Sequence, residues 1–194
     1  MFVIGMRLFM AVANHSDYRM LEEFLGQCEE WQLRVFLAYV YDGLSLHAIP
    51  YLLSLYEEWE DTGVENDIAR CICGMLGQRY YEEENYNIKI LGDMFLEFSQ
   101  SHDLDLYYFN GEEYFAGNLT KTIIGVAMDC RMRKIPFYTD QLPAIISNGS
   151  GVACPVSHGT EVNDLKVQEL FNYVQYLSTL KHEKGKKYFY NYKI

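Results

Sequence analysis

Basic residues are scarce in this chain, and so are the motifs that announce chemistry. Sixteen Lys and Arg stand against 27 Asp and Glu, a formal net charge of −11 over 194 residues. Such a surface repels DNA, RNA and anionic lipid, each of which presents negative charge of its own. No stretch approaches the roughly 18 uncharged apolar residues of a membrane span. Only four prolines and two tryptophans are present, with no low-complexity segment, and 49% apolar residues suffice to bury a real core. One domain over residues 1–194 is the expectation.

Metal and thiol chemistry are thinly supported. The five cysteines (Cys28, Cys71, Cys73, Cys130, Cys154) form an odd, scattered set, which suits a reducing compartment better than a disulfide framework. No CxxC or HxxxH pair offers zinc a ligand spacing. Cys71 and Cys73 lie two apart on a helical pattern and point to different faces, so buried apolar positions are the plainer reading. Cys154 sits in a Gly-rich stretch near His158, but no third group orients that histidine. "SNGSGVACPVSHG" lacks the lysine of a phosphate-binding loop. The carboxylates fall in runs, such as Glu112-Glu113, that read as solvated faces. No cofactor, metal or catalytic residue is expected.

The start, "MFVIGMRLFMAVANH", superficially suggests a secretion signal, but no basic residue precedes its apolar run and Arg7 interrupts it. A cytoplasmic location is therefore expected, and the sequons at Asn118 and Asn148 carry no weight.

What is present is helix. "SDYRMLEEFLGQC" opens with Ser16 as a cap and places Met20, Phe24 and Leu25 on one face. "EEWQLRVFLAYVYDG" has acid at its N-terminus and Asp42-Gly43 at its end. "SLHAIPYLLSLYEEWE" is read as capped by Ser45, with Ile49, Leu52, Leu53 and Tyr56 inward. "VENDIARCICGMLG" turns Ile68, Ile72, Met75 and Leu76 inward. Residues 16–80 thus form consecutive helix pairs, and "LHAIPYLLSLYEEWEDTGVENDIARCICGMLG" resembles a HEAT-like repeat through Ala48-Ile49-Pro50, Leu52-Leu53, the acidic turn, and the closing Ala69 and Leu76-Gly77.

Residues 81–194 are less regular. "IKILGDMFLEFSQSHD" has Ile90, Leu91, Met94, Phe95 and Phe98 at inward spacing. Asn110-Gly111 between aromatic runs signals a hairpin. "LTKTIIGVAMDCRM" is ambiguous between strand and buried helix. "LPAIISNGSGVACPVSHGTEVND" reads as a long loop, centred on 147–159, before a clear helix from Asp164. Residues 184–194 form a basic, Tyr-rich tail. The fold class expected is mainly α, a short stacked helix-pair array with possible small β elements in the C-terminal half.

Charge is unevenly placed. Residues 1–113 hold 21 Asp/Glu against 6 Lys/Arg and residues 114–194 hold 6 against 10, so the two parts carry −15 and +4. The densest acid lies at Glu57, Glu58, Glu60, Asp61, Glu65 and Asp67, around Trp59, with Glu82, Glu83 and Glu84 beyond. Carboxylates crowded without lysines repel one another, which suggests a basic protein partner steered by them and held by aromatic anchors.

In size, acidity and the stretch "LRVFLAYVYDGLSLHAIPYLLSLYEEWEDTGVENDIARCICGMLG", the chain resembles bacterial immunity proteins of the polymorphic-toxin and contact-dependent inhibition type. The resemblance implies a small, non-catalytic cytoplasmic inhibitor that binds a cognate toxin domain, often a nuclease. Glu57, Glu58, Trp59, Glu60, Asp61, Glu65, Asp67, Glu82, Glu83 and Glu84 would then face the toxin. Arg131, Arg133, Lys134 and the basic tail depart from that pattern. A HEAT-like adaptor and a thiol enzyme using Cys154 and His158 are the alternatives.

Overall fold

The helical punctuation read from the sequence is present in the computed structural model, which describes Gly5, Met6, Phe9, residues 12–20, Leu25, residues 27–189 and residues 192–194. The chain divides into two compact units, Met1–Glu113 and Tyr114–Ile194. The division falls where the charge changes sign.

In the first unit a 3₁₀ turn, His15–Met20, precedes helix α1, Glu30–Gly43. The cap expected at Ser16 is instead Asn14, whose Oδ1 accepts from the Ser16 N–H at 2.9 Å. Met20 is 64% exposed rather than inward, because a 3₁₀ turn advances 120° per residue and rotates it off the face that a 100° step predicts. Phe24 lies outside the described residues. Helix α1 starts with a reciprocal capping box between Glu29 and Gln32. Its left-handed terminating step falls on Leu44 (φ 67°), one residue past the expected glycine.

A short 3₁₀ turn, Leu46–Ala48, leads into α2, Ile49–Glu58. Ser45 does not cap it: its hydroxyl meets His15 Nδ1 at 2.9 Å. Pro50 falls in the first turn of α2, where a missing N–H costs nothing. Helix α3, Val64–Met75, packs against both α1 and α2. Leu33, Phe36, Val40, Ile49, Leu52, Ile68 and Ile72 meet in one fully buried cluster, each worth about 1.5–3 kcal/mol by the area it removes from water. Helix α4, Ile88–Ser101, is capped by the Asn87 side chain and packs against α2. Of its expected inward set, Leu91 is fully buried while Ile90 stays on the surface.

The Asn110-Gly111 hairpin forms as expected, with β1, Tyr108–Phe109, antiparallel to β2, Glu112–Glu113. Both turn residues take positive φ (50° and 73°), as a type I′ turn requires. The tip lies on the exit of α3: a Cβ on Gly77 would fall 2.4 Å from the Asn110 carbonyl oxygen.

In the second unit the ambiguous "LTKTIIGVAMDCRM" lies within a 17-residue helix, α5, Ala116–Met132. The long loop read from 142 onward is corrected at its start, because Leu142–Ser150 is a helix, α6. Pro143 occupies its first turn, Ile145 and Ile146 bury its inner face, and Gly149 serves close packing rather than flexibility. A Cβ on Gly149 would lie 2.3 Å from Cζ of Tyr114, whose hydroxyl donates to the Ile146 carbonyl at 3.0 Å. The remaining 151–163 segment is tied down by Thr139, whose N–H donates to Thr160 O at 3.0 Å and whose carbonyl accepts from the Gly159 N–H at 2.8 Å. Helix α7, Asp164–Thr179, capped by Asn163, packs on α5. The tail folds back as an antiparallel pair, β3 (Tyr188–Phe189) with β4 (Tyr192–Lys193), and β3 packs on α6. The fold is mainly α with two small strand pairs, one of them in the N-terminal unit.

Candidate functional site

The acidic stretch resolves into two groups with different physical roles. Glu65 and Asp67 lie in the first turn of α3, where the helix dipole favours negative charge. Asp67 is half-buried and accepts ion pairs from Arg34 of α1 and from Arg70, the latter at 3.2 Å. Arg70 continues to Glu82 at 3.4 Å and lies 5.0 Å from the Tyr80 ring centroid. Asp67 and Glu82 are therefore partly occupied in holding α1, α3 and the 80–82 segment together.

Glu57, Glu58, Glu60 and Asp61 are different. Glu57 and Glu58 end α2, whose last turn carries no basic residue, and Glu60 and Asp61 follow in the turn to α3. All four are exposed, and among the described residues none makes an ion pair. Glu57 and Glu58 stand in the last turn of α2, at the negative end of its dipole, each at a cost of about 0.3–1 kcal/mol. Trp59 at their centre is half-buried against the core, with its carbonyl accepting from Thr62 Oγ1 at 2.6 Å. It serves as a structural post rather than an exposed anchor.

The first unit also carries a groove of about 440 Å³ that the sequence did not disclose. One wall is the segment from Leu76 to Tyr86, and the other is the face of α4 carrying Ile90, Met94, Glu97 and Phe98. Tyr86 stacks on Tyr80 with centroids 5.0 Å apart, and burial followed by the Glu84 carboxylate pushes its hydroxyl up to about 12. The Arg79 guanidinium lies 5.2 Å from the Tyr81 ring centroid. The one signal in the sequence was the 90–94–98 stripe, which marks a helix face without saying whether anything covers it.

A second cluster missed by sequence reading joins residues 92 positions apart. The His15 ring stacks on Tyr107 with centroids 4.3 Å apart and sits 4.6 Å from that of His47, whose Nε2 meets the Leu104 carbonyl at 3.1 Å. Burial, then the nearby Asp17, pushes Tyr107 up to about 12. The cluster fastens the 15–20 turn to the 45–48 and 104–108 segments.

The cysteines read as packing residues. Cys73 is fully buried, and Cys71, whose Sγ donates to the Leu37 carbonyl at 3.6 Å, is pushed up to about 12 by burial. Cys154 is also raised by burial, opposite to the shift a thiolate nucleophile needs, and His158 is exposed. Among the described residues no group of three or more His, Cys, Asp or Glu is placed to hold a metal ion. No helix among them is long and apolar enough to cross a membrane.

In the second unit much of the basic charge is matched locally. Arg131 pairs with Asp164 at 2.7 Å, Arg133 with Asp129 at 3.0 Å, Lys166 with Glu169 at 2.7 Å and Lys193 with Glu183 at 2.8 Å. A groove of about 470 Å³ lies beside α5 and α7, flanked by the exposed Met128, Ile135 and Leu165.

Comparison with protein families matches the entire chain, residues 1–194, to the model described as Immunity protein 47. No curated protein and no solved structure matches.

Proposed function

The chain belongs to the immunity protein 47 family, and from that premise we propose that it neutralises a basic cognate toxin by direct, non-catalytic binding through the acidic face of its first unit. The single observation that carries the choice of face is the exposed set Glu57, Glu58, Glu60 and Asp61, which make no ion pair among the described residues and lie at and just beyond the C-terminal end of α2. That placement opposes helix stability, so its benefit lies outside the fold. Glu83 extends the same exposed charge, whereas Asp67 and Glu82 hold the surface in shape. Glu65, half-buried beside them, and Glu84 at the groove border complete the surface.

An acidic face of this density steers a basic partner to encounter and discriminates against anionic competitors. A toxin that handles nucleic acid would present a basic substrate groove, and covering that groove with carboxylates would exclude phosphates. The inhibitor needs no chemistry of its own for this, in keeping with the raised Cys154 thiol, and it would act in the cytoplasm, where the toxin meets its target.

The test replaces Glu57, Glu58, Glu60 and Asp61 together by lysine and measures association with a toxin domain first identified by its co-purification with the parent chain. At low salt the association rate should fall about 10- to 100-fold, with the difference narrowing at high salt. The variant should fold at least as stably as the parent, because the helix-dipole conflict is relieved. An unchanged association rate removes these carboxylates from recognition.

A further inference from the structure

The exposed carboxylates explain attraction at a distance but supply no anchor, since Trp59 is built into the fold. The groove in the same unit supplies one. We propose that the groove between α4 and the 76–86 segment is the toxin's anchoring site, and that it receives a lysine or arginine side chain, stem and head together, from a basic segment of the toxin. This inference rests on the inhibitor reading above.

Three observations carry it. The lining is mixed, with an apolar strip that is only partly covered: Leu76 is buried, Met94 and Phe98 are half-buried, and Ile90 and Tyr81 are 42% and 43% exposed, beside Gln78, Ser101 and His102. An apolar strip set beside polar side chains in a concave site of about 440 Å³ suits an amphipathic occupant better than a purely apolar one. The border carries Glu84 and Glu97, both exposed, with Glu82 and Glu83 next in the chain. Among the described residues Glu97 makes no ion pair. The cation on this border, Arg79, lies over the Tyr81 ring. Finally, Glu84 of the groove lining belongs to the 82–84 acidic run, and Arg70 ties Glu82 of that run to Asp67 of α3.

An apolar strip with an acidic border matches a side chain that is aliphatic along its stem and cationic at its head, which describes lysine and arginine. An acidic or phosphorylated segment would meet Glu84 and Glu97 with like charge. A purely apolar segment would cover the strip but leave those carboxylates desolvated without a counter-charge, at a cost. The ridge then sets the rate of encounter and the groove sets the lifetime of the complex.

The experiment uses the full chain and the purified, catalytically inactivated toxin domain identified by co-purification with it. Four variants are compared: Ile90→Lys, Ile90→Glu, Glu97→Lys and, in the other unit, Leu165→Lys. Positions 90, 97 and 165 are exposed, and circular dichroism melts confirm each fold. The expected result is that Ile90→Lys and Glu97→Lys each weaken binding by about 30-fold or more, mainly through faster dissociation, while Ile90→Glu costs several-fold less than Ile90→Lys. Leu165→Lys should bind within about threefold of the parent. Equal losses for lysine and glutamate at position 90 would show that shape alone matters and overturn the assignment of a basic occupant. Groove variants that bind like the parent would overturn the groove while leaving the inhibitor reading intact, most plainly if Leu165→Lys alone abolishes binding. A parent chain that does not bind the toxin at all would overturn both.

Discussion

Lys187 makes the energetics of the second unit measurable. Its side chain is fully buried in the approach to β3, and burial pushes its ammonium from 10.5 down to about 7. The folded-state value lies below the unfolded one, so the unfolded chain binds more protons between the two. The penalty for burying the charge is fully present below about pH 7 and fades as pH rises toward 10.5. Each unit of difference is worth about 1.4 kcal/mol, so stability should rise by about 2 kcal/mol from pH 7 to pH 9 on account of this residue alone. Other groups act mainly outside that window, and the raised Cys154 thiol opposes the rise only near its upper end. His182 is lowered by burial from 6.5, and Tyr173 is raised to about 12 by burial and so costs stability only above its unfolded value near 10. Lys187→Met keeps length and removes the charge. Amide hydrogen exchange in Asp164–Thr179, compared between variant and parent at each pH, isolates the difference from the intrinsic pH dependence of exchange. The variant should be the more stable at pH 7, and its advantage should shrink by about 2 kcal/mol at pH 9. An advantage that does not change with pH would refute the buried, depressed lysine.

Two further outcomes follow from packing. Gly149→Ala should cost about 1–3 kcal/mol in urea unfolding, because the new Cβ meets the Tyr114 ring, which is fixed by its hydrogen bond to Ile146; a loss under about 0.5 kcal/mol would mean that ring can yield. Cys154 should react with a neutral thiol reagent at pH 7.5 more slowly than in the urea-unfolded chain, since burial raises its thiol, and Cys154→Ala should leave toxin neutralisation unchanged.

The elements that were legible in the sequence are those whose signals are local. The helices from Glu30 to Met75 follow a 3.6-residue apolar pattern with caps or a proline at their starts, and the Asn110-Gly111 turn has few conformational alternatives. Misreadings arose where one composition serves two purposes. Glycine and serine in "IISNGSG" suggested a loop, but Gly149 is small because Tyr114 occupies the space a side chain would need. The tail reads only as basic and Tyr-rich, yet Lys187 is buried by a return of the chain that no local pattern announces. The groove was out of reach for a similar reason: Ile90 and Leu91 are adjacent and alike, and only packing makes one core and the other surface.

In the acidic ridge the structure separates charge that the fold uses from charge that it does not, where composition cannot. Glu65 and Asp67 satisfy a helix N-terminus, and Asp67 also holds two arginines, so stability accounts for them. Glu57 and Glu58 have the same side chains at the opposite pole of the neighbouring helix, where the dipole disfavours them, with Glu60 and Asp61 crowding the same turn. A lysine in that last turn would relieve the conflict at no cost in packing, because these positions are exposed. The groove border repeats the pattern with Glu97, exposed and without an ion pair among the described residues. Charges that the fold would be better without, near an apolar strip that the fold leaves partly open, are the features that the proposed basic partner would use.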